Sequence, residues 1–155
     1  MKPSDNLSPH FALSEFLRGG SMEGVSSDII VNLRMLSKKL EQIRELLGGH
    51  PITITSGFRT AAHNSSIKTA AKGSMHLYGL AADFVVSGLE PPQVQAKLMA
   101  VKDKLGICVE ITHGNWTHID LRPSCIVFEN LGNREYKTLS LAEIKEFIRK
   151  HGAVA

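Results

Sequence analysis

Cysteine is scarce in this chain of 155 residues, and no long apolar run occurs in it. The two cysteines, Cys108 and Cys125, sit in the apolar stretches GICVE and SCIVF. Two thiols cannot build the dense disulfide framework of a small secreted scaffold, so two buried free thiols are expected. Neither has CxxC or CxxH spacing, which excludes a zinc ribbon. No apolar stretch approaches the roughly 20 residues that span a bilayer. The lead MKPSDNLSPHF has Lys2 without a hydrophobic segment behind it, so no secretory signal is expected and cytoplasmic synthesis is. Internal repeats and low-complexity segments are absent. Charge of one sign is also scarce. The net charge is +3, and the basic residues are scattered over the polar faces of predicted helices. That pattern argues against a nucleic-acid groove. A weak positive field still favours an anionic partner such as a cell-wall polymer.

What is present suits one globular domain over residues 1–155, with a core across 11–128 and a closing helix over 140–151. HFALSEFLRGG predicts one or two helical turns, with Ser14 as a cap and Gly19-Gly20 as a stop. In SSDIIVNLRMLSKKLEQIRELLGG, the residues Ile29, Leu33, Leu36, Leu40, Ile43 and Leu47 form one apolar stripe at helical spacing. Ser26 or Ser27 can cap its start and Gly48-Gly49 end it. PITITSG alternates as a strand, and RTAAHNSSIKTAAKGS reads as a short helix and a loop. LAADFVV is apolar enough for a buried strand. A helix follows in PPQVQAKLMAVKDKLG, opened by prolines. ICVEITHGNWTHIDLR reads as two strands around Gly114, SCIVFEN as a further strand, and SLAEIKEFIRKHG as a helix with a Ser140–Glu143 capping box. The order predicts an α+β fold, a small antiparallel or mixed sheet with flanking helices.

One residue in this pattern is out of place. Asp83 lies inside the apolar strand LAADFVV, where a carboxylate is costly unless it is paired or ligates a metal. His76 precedes it by seven residues with Gly79 between. By themselves the two can be a loop histidine and the polar end of a strand, or two arms of a metal site. The stretch NWTHIDLR favours the second reading. Period two puts Trp116, His118 and Asp120 on one strand face, with Ile119 and Leu121 facing the core. His118 is the natural third ligand, and Trp116 is a wall for substrate. Asp120 either orients a ligand from behind or is solvated. Catalytic zinc takes three such ligands and keeps one position for water.

A hydrolytic zinc site also needs a base. In a hairpin centred on Gly114, Glu110 faces His118 across the strands, about 4.5–5.5 Å apart at Cβ. A two-residue turn at His113-Gly114 instead pairs Val109 with His118 and turns Glu110 away. His113 is a second candidate, as base or oxyanion donor. Arg59, past the strand end in TSGFR, points out of the sheet edge and can take a carboxylate bidentately, or is a surface arginine with no role.

These stretches together, SGFRTAAHN, GSMHLYGLAADF and WTHID, resemble the zinc D-Ala-D-Ala carboxypeptidases and L-alanyl-D-glutamate peptidases of peptidase family M15, in particular the phage and prophage branch. The hedgehog signalling domain shares that metal fold. The resemblance spans roughly residues 11–122. It implies zinc held by His76, Asp83 and His118, Arg59 on a substrate carboxylate, Ser74 positioning substrate or loop, and a histidine near the metal at His113. Two departures stand out. Phe58 replaces the usual tyrosine, and Asn115 occupies the position where many members carry the catalytic acid. Other relatives place a glutamate on the facing strand, which Glu110 matches. The resemblance implies a zinc metallopeptidase hydrolysing peptidoglycan stem peptides, as a D-Ala-D-Ala carboxypeptidase or an L-Ala-D-Glu endopeptidase. The alternative is a catalytically impaired zinc-binding wall or interaction module on the same fold. A monomer released by phage lysis machinery or carried on a virion is the expected setting.

Overall fold

A computed structural model describes residues 1–67, 70–71 and 73–152. In chain order, the elements are β1 (Asn6–Ser8), β2 (Phe11–Ala12), α1 (Ser27–Leu46), β3 (Ile52–Ser56), α2 (Ala61–Ser66), β4 (Ala81–Val86), α3 (Pro91–Leu105), β5 (Cys108–Ile111), β6 (Thr117–Asp120), β7 (Val127–Gly132), β8 (Glu135–Thr138) and α4 (Leu141–His151). The fold is α+β. A six-stranded sheet has the order β3-β4-β6-β5-β7-β8, and β1 pairs with β2 in a separate ribbon. Every neighbour pair in the large sheet is antiparallel except β5 with β7.

The long helix forms where its stripe predicts it. Leu33, Leu36, Leu40, Ile43 and Leu47 are buried on one side of α1, each such burial contributing about 1.5–3 kcal/mol. Ser26, not Ser27, is the cap, its hydroxyl accepting from the Ile29 amide. Glu90 precedes α3, Gly106 ends it in the left-handed conformation, and Ser140 with Glu143 closes the capping box of α4. Helix α3 packs on β4, β5 and β6, so one face of the sheet is covered and the other is left for chemistry.

Two expectations need correction, and one strand is unforeseen. HFALSEFLRGG forms its expected helical turns as 3-10 turns at Leu13–Phe16 and Arg18–Gly20, entered from β2. Ser14 caps neither; the Glu15 carboxylate accepts from the Ala12 amide instead. Cys125 precedes β7 at φ +48° and is only half-buried, because the chain turns there before the strand begins. Strand β8 was not anticipated. All its residues are exposed, which removes the alternation that marks a strand, although the two-residue turn Asn133-Arg134 with both φ positive is a hairpin signal. The loop expected after α2 lies partly outside the described residues.

Candidate metal centre

One rung of the sheet carries the site. Across β3, β4, β6, β5 and β7, the pairing aligns Ser56, Asp83, His118, Glu110 and Phe128. Glu110 thus faces His118 as the hairpin centred on Gly114 predicts, and the tight-turn register does not occur. The side chain of Thr112 stabilises the longer turn: its hydroxyl donates to the Trp116 carbonyl at 2.7 Å and accepts from the Gly114 amide. A bulge in β3 skips Thr55, which brings Ser56 rather than Thr55 opposite Asp83. The Ser56 hydroxyl then accepts from Arg59 Nε at 3.1 Å.

His76 comes from a separate 3-10 turn, Met75–Tyr78. Ser74 caps that turn, its hydroxyl accepting from the His76 amide at 3.2 Å. Gly79 ends it at φ +70°, against Leu33 of α1, and a side chain there would be both strained and crowded. Gly57 is constrained by crowding alone, since a Cβ would lie 2.7 Å from the Phe16 backbone. Its carbonyl accepts from His76 Nδ1 at 2.7 Å, so Nδ1 carries the hydrogen and Nε2 is the free donor atom. Nε2 lies 3.4 Å from Asp83 Oδ1.

His118 is fixed in the complementary way. Nε2 donates to Asp120 Oδ2 at 3.1 Å, and Nδ1 lies 2.8 Å from the same Asp83 Oδ1. Asp120 is fully buried and held by Arg122 through Nε and Nη2 at 2.9 and 2.7 Å. It is therefore not solvated; it orients His118 from behind. One atom from each of His76, Asp83 and His118 lies within 4.8 Å of the others. Two imidazoles and a carboxylate suit zinc, whose bonds near 2 Å put neighbouring ligand atoms about 3.3 Å apart. Each ligand is also braced by a further group: Gly57 on His76, Asp120 on His118 and Arg59 on Asp83.

The charges explain how carboxylates survive here. Burial pushes the Asp83 carboxyl up, but hydrogen bonds from His118 and His76 outweigh it and hold it well below the usual range. Burial likewise raises Asp120, and His118 and Arg122 more than reverse it. Burial pulls His118 down, yet Asp120 and Asp83 on its two nitrogens push it up strongly. The same excess of negative charge that favours a proton there favours a divalent cation.

The site opens into a cavity of about 340 Å³ that takes in Arg59, Ser74, Glu110 and Trp116 with the three candidate ligands. Glu110 accepts no hydrogen bond among the described residues, and burial raises its pKa. His113 is elsewhere: it is exposed on the turn at φ +59°, with Nε2 2.5 Å from Glu129, outside the cavity lining. Asn115 is also exposed and outside it. Arg59 does not project from the sheet edge as expected. It turns in, bonded to Ser56, Asn64 and Asp83 at 3.1, 3.4 and 3.3 Å. Arg122, Phe128 and Tyr136 are among the lining residues not anticipated from the sequence. Arg122 continues the period-two face of His118 and Asp120, so its signal was there. Phe128 meets His118 edge-on at 6.0 Å and Tyr136 at 5.8 Å, contacts that depend on the unanticipated β7–β8 hairpin.

A family model described as Peptidase M15 matches residues 9–120. That range includes all three candidate ligands, Arg59, Glu110 and Asp120, and ends before β7 and β8. No curated protein matches the chain.

Proposed function

The chain belongs to the Peptidase M15 family, and on that premise we propose that it is a zinc-dependent peptidase acting on the stem peptides of peptidoglycan. The observation that carries the reading is the rung on which Asp83, His118 and Glu110 stand side by side, with His76 completing a set of donors around one point. The choice of peptidoglycan is supported by the likeness of SGFRTAAHN, GSMHLYGLAADF and WTHID to wall peptidases, and by the mild positive charge.

His76, Asp83 and His118 would hold zinc, which when bound would supply a Lewis acid for the scissile carbonyl and acidify the attacking water. Glu110 takes a proton from the attacking water and returns it to the leaving amine. Its burial without a partner keeps it a better base than an exposed glutamate. Arg59 braces Asp83 and keeps two of its five N–H donors for a substrate carboxylate. Trp116 and Phe128 line the cavity with apolar surface.

Mass spectrometry of muropeptides incubated with the protein, with and without a chelator, tests this. Cleavage that stops on chelation and returns with zinc is the expected result, and the product masses identify the scissile bond. Asn115 favours a second reading, a zinc-binding wall module without catalysis. Zinc-loaded protein that leaves every muropeptide intact would select it.

A further inference from the structure

A second cavity, of about 350 Å³, shares Arg59 with the first. Its lining includes Arg18, Ser21, Phe58, Thr60 and His63. Long-range pairing builds it. Leu17 and Phe58 form a parallel bridge, and the Phe58 amide donates to the Phe16 carbonyl at 2.8 Å. The next residue on each segment is an arginine, so Arg18 and Arg59 flank one space.

Two side chains in that space lack a protein partner. His63 Nδ1 is buried and unpartnered among the described residues. Arg18 is exposed and has no side-chain hydrogen bond or ion pair among the described residues, whereas Arg59 is largely committed to Ser56, Asn64 and Asp83. Thr60 accepts from the His63 amide and keeps its own hydroxyl hydrogen to donate. Among the described residues Glu23 is the one acid in the lining; it is exposed and forms no ion pair with Arg18, His63 or Arg59. A cavity lined by two arginines, a histidine and a threonine suits an anion with planar oxygens.

We infer that Arg18 and His63 form a carboxylate subsite, which receives a second acidic group of the substrate while its scissile bond lies at the metal centre. The inference rests on the peptidase reading and adds a specificity determinant to it. Arg59, shared by the two cavities, sets the distance between the carboxylate and the reacting carbonyl. A peptide with that carboxylate amidated loses the charge-assisted bonds to Arg18 and binds less well.

The test uses zinc-loaded Glu110→Gln protein, to limit turnover, and synthetic stem peptides in which each carboxylate is amidated in turn. Calorimetry should give about a tenfold or greater loss of affinity for one of the amidated peptides. Adding Arg18→Ala should bring that ratio close to one by weakening only the free-acid peptide, and Arg18→Lys should keep part of it. The ring resonances of His63 should shift with the free-acid peptide and not with its amide. A full preference surviving Arg18→Ala, or no preference for any carboxylate, overturns the subsite. The peptidase reading fails separately, when wild-type protein with zinc cleaves none of these peptides.

Discussion

Two neighbouring rungs of the sheet, one residue apart on each strand, have opposite chemistry. Asp83, His118 and Glu110 form one; Ala82, Ile119, Val109 and Val127 form the next. All four members of the second rung are buried in the apolar core. Because side chains alternate across a strand, a single-residue step moves from the metal cavity to the packed face under α3. The same ladder of backbone hydrogen bonds serves both purposes. The core rung holds the backbone still, and the polar rung inherits that rigidity without contributing much packing of its own.

Substitutions that separate the rungs test this division. The largest effect is expected from His118→Ala, which removes a donor and leaves Asp83 and Asp120 facing one another's charge. Peptide hydrolysis should fall on the order of 10³-fold or more, and metal analysis of the purified protein should find zinc lost. Retained zinc would mean that the polar rung does not hold the metal. Glu110→Gln should lower kcat about 10²- to 10⁴-fold while zinc content stays at that of the wild type. Unchanged cleavage would remove Glu110 from the reaction. On the other rung, Ile119→Ala should cost about 2–5 kcal/mol of folding stability by denaturant titration. Zinc affinity of the folded fraction should be preserved, and a large loss there would blur the division. The smallest effect is expected from Asp120→Asn, a weakening of zinc binding by about 10- to 100-fold in a chelator competition, since the amide still accepts a bond from His118 but carries no charge.

The histidine and aspartate in SMHLYGLAAD show how much of this could be read in advance. Asp83 was conspicuous because a carboxylate in an apolar strand has few physical excuses. His118 and Asp120 followed from period two, and extending that period by one step reaches Arg122. The register between Glu110 and His118 was not decidable locally, since hairpins centred on Gly114 and on the His113-Gly114 bond both satisfy the alternation. The hydroxyl of Thr112, bonding across the turn to Trp116 and Gly114, sets the choice. His113 is the second candidate base by sequence, but the longer turn carries it to Glu129 and solvent. The β7–β8 hairpin went partly unread because its outer strand has no buried face.

By itself the sequence determined the α1 stripe, the alternation of the strands and the donor types at residues 76, 83 and 118. These depend on periodicity and on the cost of burying charge, which act over a few residues. Only the tertiary structure decided which groups brace those donors and what surrounds them. Arg59 turning inward to Asp83, Arg18 arriving beside it through the Leu17–Phe58 bridge, and Tyr136 reaching the cavity from the last hairpin are contacts between distant segments. Packing of the whole chain selects such contacts, and no local pattern encodes them.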